Sequence, residues 1–74
     1  MGLYESAVST AKVYLGPAAQ KFVDRQISTH LNIKGSELGP QHLEELAKWC
    51  YTSGKLVIPE QKAKEMSEKI RTLK

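Results

Sequence analysis

The sequence predicts an all-α protein: a compact four-helix domain with helices over residues 3–14, 17–31, 40–53 and 59–72. Three observations lead there. Apolar residues recur at steps of three and four through four segments, the spacing that places them on one helix face. Pro17, Pro40 and Pro59 each stand where such a segment begins. Proline suits the first helical position, because the N–H it lacks would find no partner there. No segment sustains strand alternation. Leu56-Val57-Ile58 is the only β-favouring run, and one short strand makes no sheet.

In the first segment Leu3, Ala7, Val8, Ala11, Tyr14 and Leu15 share a face and leave Glu5, Ser9 and Lys12 outward. Gly16 can then end the helix in a backbone conformation that other residues resist, and Pro17 starts the next at a tight corner. The second segment buries Ala19, Phe22, Val23, Gln26, Ile27, His30 and Leu31. Asn32, Lys34, Gly35 and Ser36 mark a loop with Ile33 and Leu38 tucked beneath it. The third carries the cleanest stripe, Leu43, Leu46, Ala47 and Cys50, and ends near Thr52-Ser53-Gly54, although its phase runs weakly on to Val57. The fourth turns Ala63, Met66, Ile70 and Leu73 inward. Its early Glu60 and late Lys69, Arg71 and Lys74 suit the helix dipole.

Seventy-four residues make one domain, residues 1–74. A chain this short buries only about 60% of the surface its unfolded form exposes. Such domains gain from a disulfide, a metal or a second subunit. An internal disulfide is excluded because Cys50 is the single cysteine. One cysteine and no secretory signal lead to the expectation of a reducing cytoplasm. No membrane span is expected, since no apolar run approaches the roughly 20 residues one requires.

Chemistry finds no foothold in the pattern. Cys50 lies eight residues beyond His42, a helical separation of about 12 Å, too far for a nucleophile and its base. It also shares the apolar stripe, where a thiol behaves as a small hydrophobe. His30, His42 and Cys50 stand singly, without the clustered spacing of a zinc site. His30 is expected to be part-buried at a helix end, and His42 exposed in a first turn. The glycines are scattered, so no phosphate loop exists. Glu44 and Glu45 are adjacent, hence splayed about 100° apart, and cannot act on one substrate atom. The expectation is a protein that is not an enzyme, with no cofactor, no metal and no small-molecule substrate.

The formal charge of +3 raises the question of nucleic acid. The basic residues are dispersed, and local pairs are expected to answer most of them: Glu44 with Lys48, Glu60 with Lys64, Lys64 with Glu68, and Glu65 with Lys69. Lys55, Lys62 and Lys69 could form one basic edge on the fourth helix, giving a weak, salt-sensitive phosphate contact. A helix-turn-helix fits poorly, because the connection after Gly54 is too long. Protein–protein contact is the stronger expectation. Trp49, Tyr51, Tyr4 and Tyr14 lie at or beyond the margins of the buried stripes, and aromatics in such places are enriched at interfaces. The competing expectation for Trp49 is that its ring caps the core while its N–H meets water.

Several segments carry a resemblance: Leu15-Gly16-Pro17-Ala18-Ala19, Arg25-Gln26 before His30-Leu31, His42-Leu43-Glu44-Glu45-Leu46-Ala47-Lys48-Trp49, and Lys62-Ala63-Lys64-Glu65 before Lys69-Ile70. Over about residues 11–73 the chain resembles small uncharacterised helical domains of prokaryotes, similar in length and also found attached to signalling proteins. The resemblance implies a prokaryotic cytoplasmic origin and a non-enzymatic accessory role in bacterial or archaeal regulation, and it transfers no active site. The reading as a whole is a protein-interaction or dimerisation module, its partner a regulatory protein or a second copy in a homodimer. A weak nucleic-acid-binding domain is the alternative.

Overall fold

The computed structural model describes residues 2–73. Helical conformations take up 82% of them, and no strand occurs among the described residues. Three full-length α-helices carry the fold. Helix α1 (Leu3–Leu15) leads through a short helical stretch, α2 (Ala19–Gln26), and a loop into α3 (Leu43–Gly54), and a tight turn then returns the chain along α4 (Glu60–Arg71).

The second segment departs from expectation. In place of one regular helix over 17–31, the chain makes a 3₁₀ turn at Gly16–Ala18, eight residues of α-helix, and a π turn at Ile27–Leu31. Two causes lie in the sequence. Pro17 leaves the first turn without an N–H to donate. Ser28, Thr29 and His30 are indifferent helix formers, and the Ser28 and Thr29 hydroxyls compete for backbone groups. Asn32, at φ 56°, ends the stretch in the left-handed region, where asparagine is among the best-tolerated residues. Only three full-length helices therefore stand where four were expected.

The starts of α3 and α4 also fall later than the prolines suggest. Pro40 sits in a 3₁₀ turn, Pro40–His42, and Pro59 is the residue before α4. One capping device recurs at three turns: a side chain three residues on accepts the N–H that precedes the turn. Gly2 N–H donates to Glu5 Oε1 at 3.1 Å, Lys34 N–H to Glu37 Oε1 at 2.8 Å, and Gly39 N–H to His42 Nδ1 at 3.0 Å. Each satisfies a donor that the helical turn leaves free. His42 is therefore half-buried and engaged, not the exposed residue expected.

The core follows the stripes closely. Ala7 and Ala11 of α1, Ala19, Val23 and Ile27, then Leu38, Leu46, Ala47 and Cys50, and finally Met66 and Ile70 form one buried cluster. Leu3, Phe22, Leu31, Ile33 and Leu73 pack against it from the margin. The radius of gyration is 10.6 Å, near the roughly 11 Å expected for a compact chain of this length.

Helices α3 and α4 form an antiparallel hairpin, the most extensive contact in the molecule, against which α1 and α2 lie. Gly54 explains how close the hairpin is. A Cβ there would stand 3.1 Å from Met66 Cε and 3.5 Å from Ala63 Cβ. Gly54 is the last residue of α3, and the turn after it is held by Val57 and Ile58 N–H groups, both donating to the Gly54 carbonyl. Gln26 is the one buried polar side chain among the described residues, and it is fully engaged. Its amide donates to the Phe22 carbonyl at 3.3 Å and its Oε1 accepts from Ser53 Oγ at 3.0 Å.

Candidate interaction surface

The aromatics at the helix margins do not converge; each has its own partner. Tyr4 donates its hydroxyl hydrogen to the Asp24 carboxylate, and that bond raises the phenol pKa above its ordinary value. Its ring lies so close to Gly35 that a Cβ there would come within 2.8 Å of Cδ1. Trp49 is half-buried and stacks flat on His30, with ring centroids 3.7 Å apart and planes within 5°. The wider π turn is the local structure that carries His30 onto this face. Tyr51 donates to Glu60 Oε2 at 2.7 Å, which closes the hairpin at its turn and raises the Tyr51 pKa. Tyr14 lies at the end of α1 with the Lys69 ammonium 5.3 Å above its ring centre.

The lysines are distributed by the same aromatics. Lys48 sits 5.4 Å from the Trp49 ring centre and Lys55 5.3 Å from that of Tyr51, both within the range of cation–π attraction. The charge pairs expected along the helices do not form. The single ion pair among the described residues is Lys62 with Glu65, at 4.0 Å. Three of the four expected pairs lose a member to another partner: Lys48 and Lys69 lie over rings, and Glu60 accepts from a phenol; nothing in the structure explains why Lys64 and Glu68 stay apart. Of the basic edge, Lys62 and Lys69 stay on one side of α4, while Lys55 turns to Tyr51.

A larger and a smaller concavity open on the surface of the described residues. The larger, about 770 Å³, runs between α3 and α4 and is lined by Glu44, Glu45, Glu60 and Glu68 against Lys48, Lys64 and Arg71, with Tyr51 at one end. Its volume suits a small molecule, but its walls are charged where ligand pockets are predominantly apolar. The smaller, about 230 Å³, is a slot formed by Val13 and Tyr14 from α1, Ile58 and Pro59 from the turn before α4, and Lys62.

That slot lies where apolar surface is exposed. Among the described residues the large hydrophobics that stand in solvent are Val13 at 75%, Leu56 at 81% and Val57 at 66%. Val13 lines the slot, and Leu56-Val57 runs directly into its Ile58-Pro59 wall. Scattered apolar residues on a surface need no explanation, whereas several gathered at one end mark a contact site. Sequence reasoning missed this group. Val13 falls off the α1 stripe and carries no pattern of its own, and Leu56-Val57-Ile58 invites a reading as strand or as continued helix. A signal was present nonetheless: three aliphatics between Gly54 and Pro59, in a turn too short to bury them all.

The thiol and the imidazoles stay apart from this surface. Cys50 is buried, and its pKa is pushed up to about 12 by that burial, so it is a neutral thiol at physiological pH. His42 has Nδ1 engaged by the Gly39 amide. Among the described residues no group of three or more His, Cys, Asp or Glu is placed to hold a metal ion, and no helix is long and apolar enough to cross a membrane. Set against family models, curated proteins and solved structures, the chain matches none of them.

Proposed function

We propose that this protein acts by protein–protein contact, as a non-enzymatic module whose working surface is the end built from Val13, Tyr14 and the Leu56–Pro59 turn. One observation carries the reading: the exposed large hydrophobics gather at that end beside a slot. Exposing them costs solubility and adds nothing to the core, which is complete without them. This is the anatomy of an interface, with an apolar centre and a charged rim. Tyr14, at the slot, is the one marginal aromatic that belongs to it. A role as an accessory to prokaryotic regulation is consistent with such a surface.

The test is a double substitution, Leu56→Asp with Val57→Asp. Both residues stand in solvent, so circular dichroism should show unchanged helicity. Either concentration-dependent sedimentation or cross-linking in host extract should show association in the native protein and its loss in the variant. A native protein that stays monomeric at every concentration and cross-links to nothing overturns the reading. So does association that survives the double substitution.

A further inference from the structure

We infer that the slot takes an acidic segment of a partner protein, one that inserts a single apolar side chain between carboxylates, and that it does not take a second copy of this chain. The inference rests on the interaction reading above and specifies its partner. The slot's volume, about 230 Å³, lies below the roughly 300–1,000 Å³ typical of small-molecule pockets. It has room for an aliphatic side chain, and its walls, Val13, Tyr14, Ile58 and Pro59, suit an apolar one.

Charge decides what surrounds that side chain. Lys62 lines the slot and Lys69 lies over the Tyr14 ring that forms its wall, while Glu65 stands 4.0 Å from Lys62. Two cations against one carboxylate leave the rim at +1. Lys55, which precedes Leu56, is turned to the Tyr51 ring and does not count toward the rim. Glu60, the other nearby acid, is turned to Tyr51. A two-fold dimer built on this surface would set a basic rim against its own copy, a like-charge juxtaposition that disfavours association. A partner with carboxylates flanking its apolar anchor meets opposite charge. An anionic bilayer offers the charge but no discrete side chain to fill a concave slot.

The test uses the full chain, labelled with nitrogen-15, and capped pentapeptides. In Glu-Glu-Leu-Glu-Glu the leucine is the anchor; Glu-Glu-Ser-Glu-Glu removes it and Lys-Lys-Leu-Lys-Lys inverts the charge. Amide shifts at Val13, Ile58 and Lys62 are expected with the first peptide alone at about 5 mM, an affinity typical of a single anchor. They should shrink as salt rises. Lys62→Glu, a change at an exposed position, should weaken binding about tenfold or more. Equal shifts with the serine or lysine peptide overturn the inference. Absence of shifts with all three also overturns it, as does binding to phosphatidylserine vesicles without any peptide response. If the peptides fail while sedimentation shows a dimer that Val57→Asp breaks, the acidic partner is rejected and the interaction reading stands.

Discussion

At the scale of single residues, the structure assigns work to groups whose types alone suggest other roles. Cys50 is the sole thiol, yet burial leaves it neutral and shielded. It should react with a disulfide reagent at the rate of global unfolding, and a burst of reaction in the native state would contradict its placement. Its raised pKa also fixes a sign. Above the ordinary thiol value of 9.0 the unfolded chain releases a proton that the folded chain keeps until about 12. Stability is therefore complete below pH 9 and falls through that window, by about 1.4 kcal/mol per pH unit from this group. Thermal melts of the native protein and Cys50→Ala between pH 8 and 11 check it: the alanine variant should lose less over that range. Gly35 gives a second residue-scale expectation. A methyl at Gly35 must displace the Tyr4 ring and with it the bond to Asp24, so Gly35→Ala should cost about 1–3 kcal/mol in urea unfolding. At Gly54 the obstacle is only the mobile end of Met66. There the smaller conformational freedom of alanine in the unfolded chain, roughly 0.4–1 kcal/mol, offsets the crowding, and Gly54→Ala should be near neutral.

At the scale of elements, legibility tracked how strongly each segment was determined by its own residues. The stripes of α1, α3 and α4 were readable because burial alone selects them, and Ala7, Ala11, Leu46, Cys50, Met66 and Ile70 lie inside as their spacing requires. The second segment was not, because its form depends on a tertiary contact. Ser28-Thr29-His30 is compatible with several helical pitches, and the His30–Trp49 stack belongs to the π turn that forms there. Charge pairing was misjudged because the expectation counted carboxylates alone, whereas Lys48 lies over the neighbouring Trp49 ring and Lys69 over Tyr14, which α1 brings to it. Gln26 shows a tertiary tie that spacing could place inside but could not partner. Its Oε1 accepts from Ser53, joining α2 to the end of α3. Ser53→Ala leaves that oxygen buried without its donor, and a loss of about 1–3 kcal/mol in chemical denaturation is expected. Gln26→Met, which removes the polar group together with its need, should restore part of that loss in the Ser53→Ala background.

At the scale of the whole molecule, the distribution of apolar surface separates what folding needs from what it leaves over. Thirteen hydrophobic residues are buried among the described residues, drawn from every helix, and the hairpin closes through Gly54, Tyr51 and Glu60 without help from the side chains of Leu56 or Val57. Those two and Val13 contribute little to the core, so replacing them should barely affect stability. Leu56→Lys, Val57→Thr and Val13→Lys, singly or together, should each change the unfolding free energy by no more than about 0.5 kcal/mol. Solubility should rise, because exposed apolar surface is removed. A loss of about 2 kcal/mol for any of them would show that the residue is core after all. The surface would then dissolve into ordinary packing, and the contact proposed for it would lose its only physical basis. If the losses stay small, this end of the molecule holds apolar area that folding does not use, and association is the remaining process in which that area can be buried.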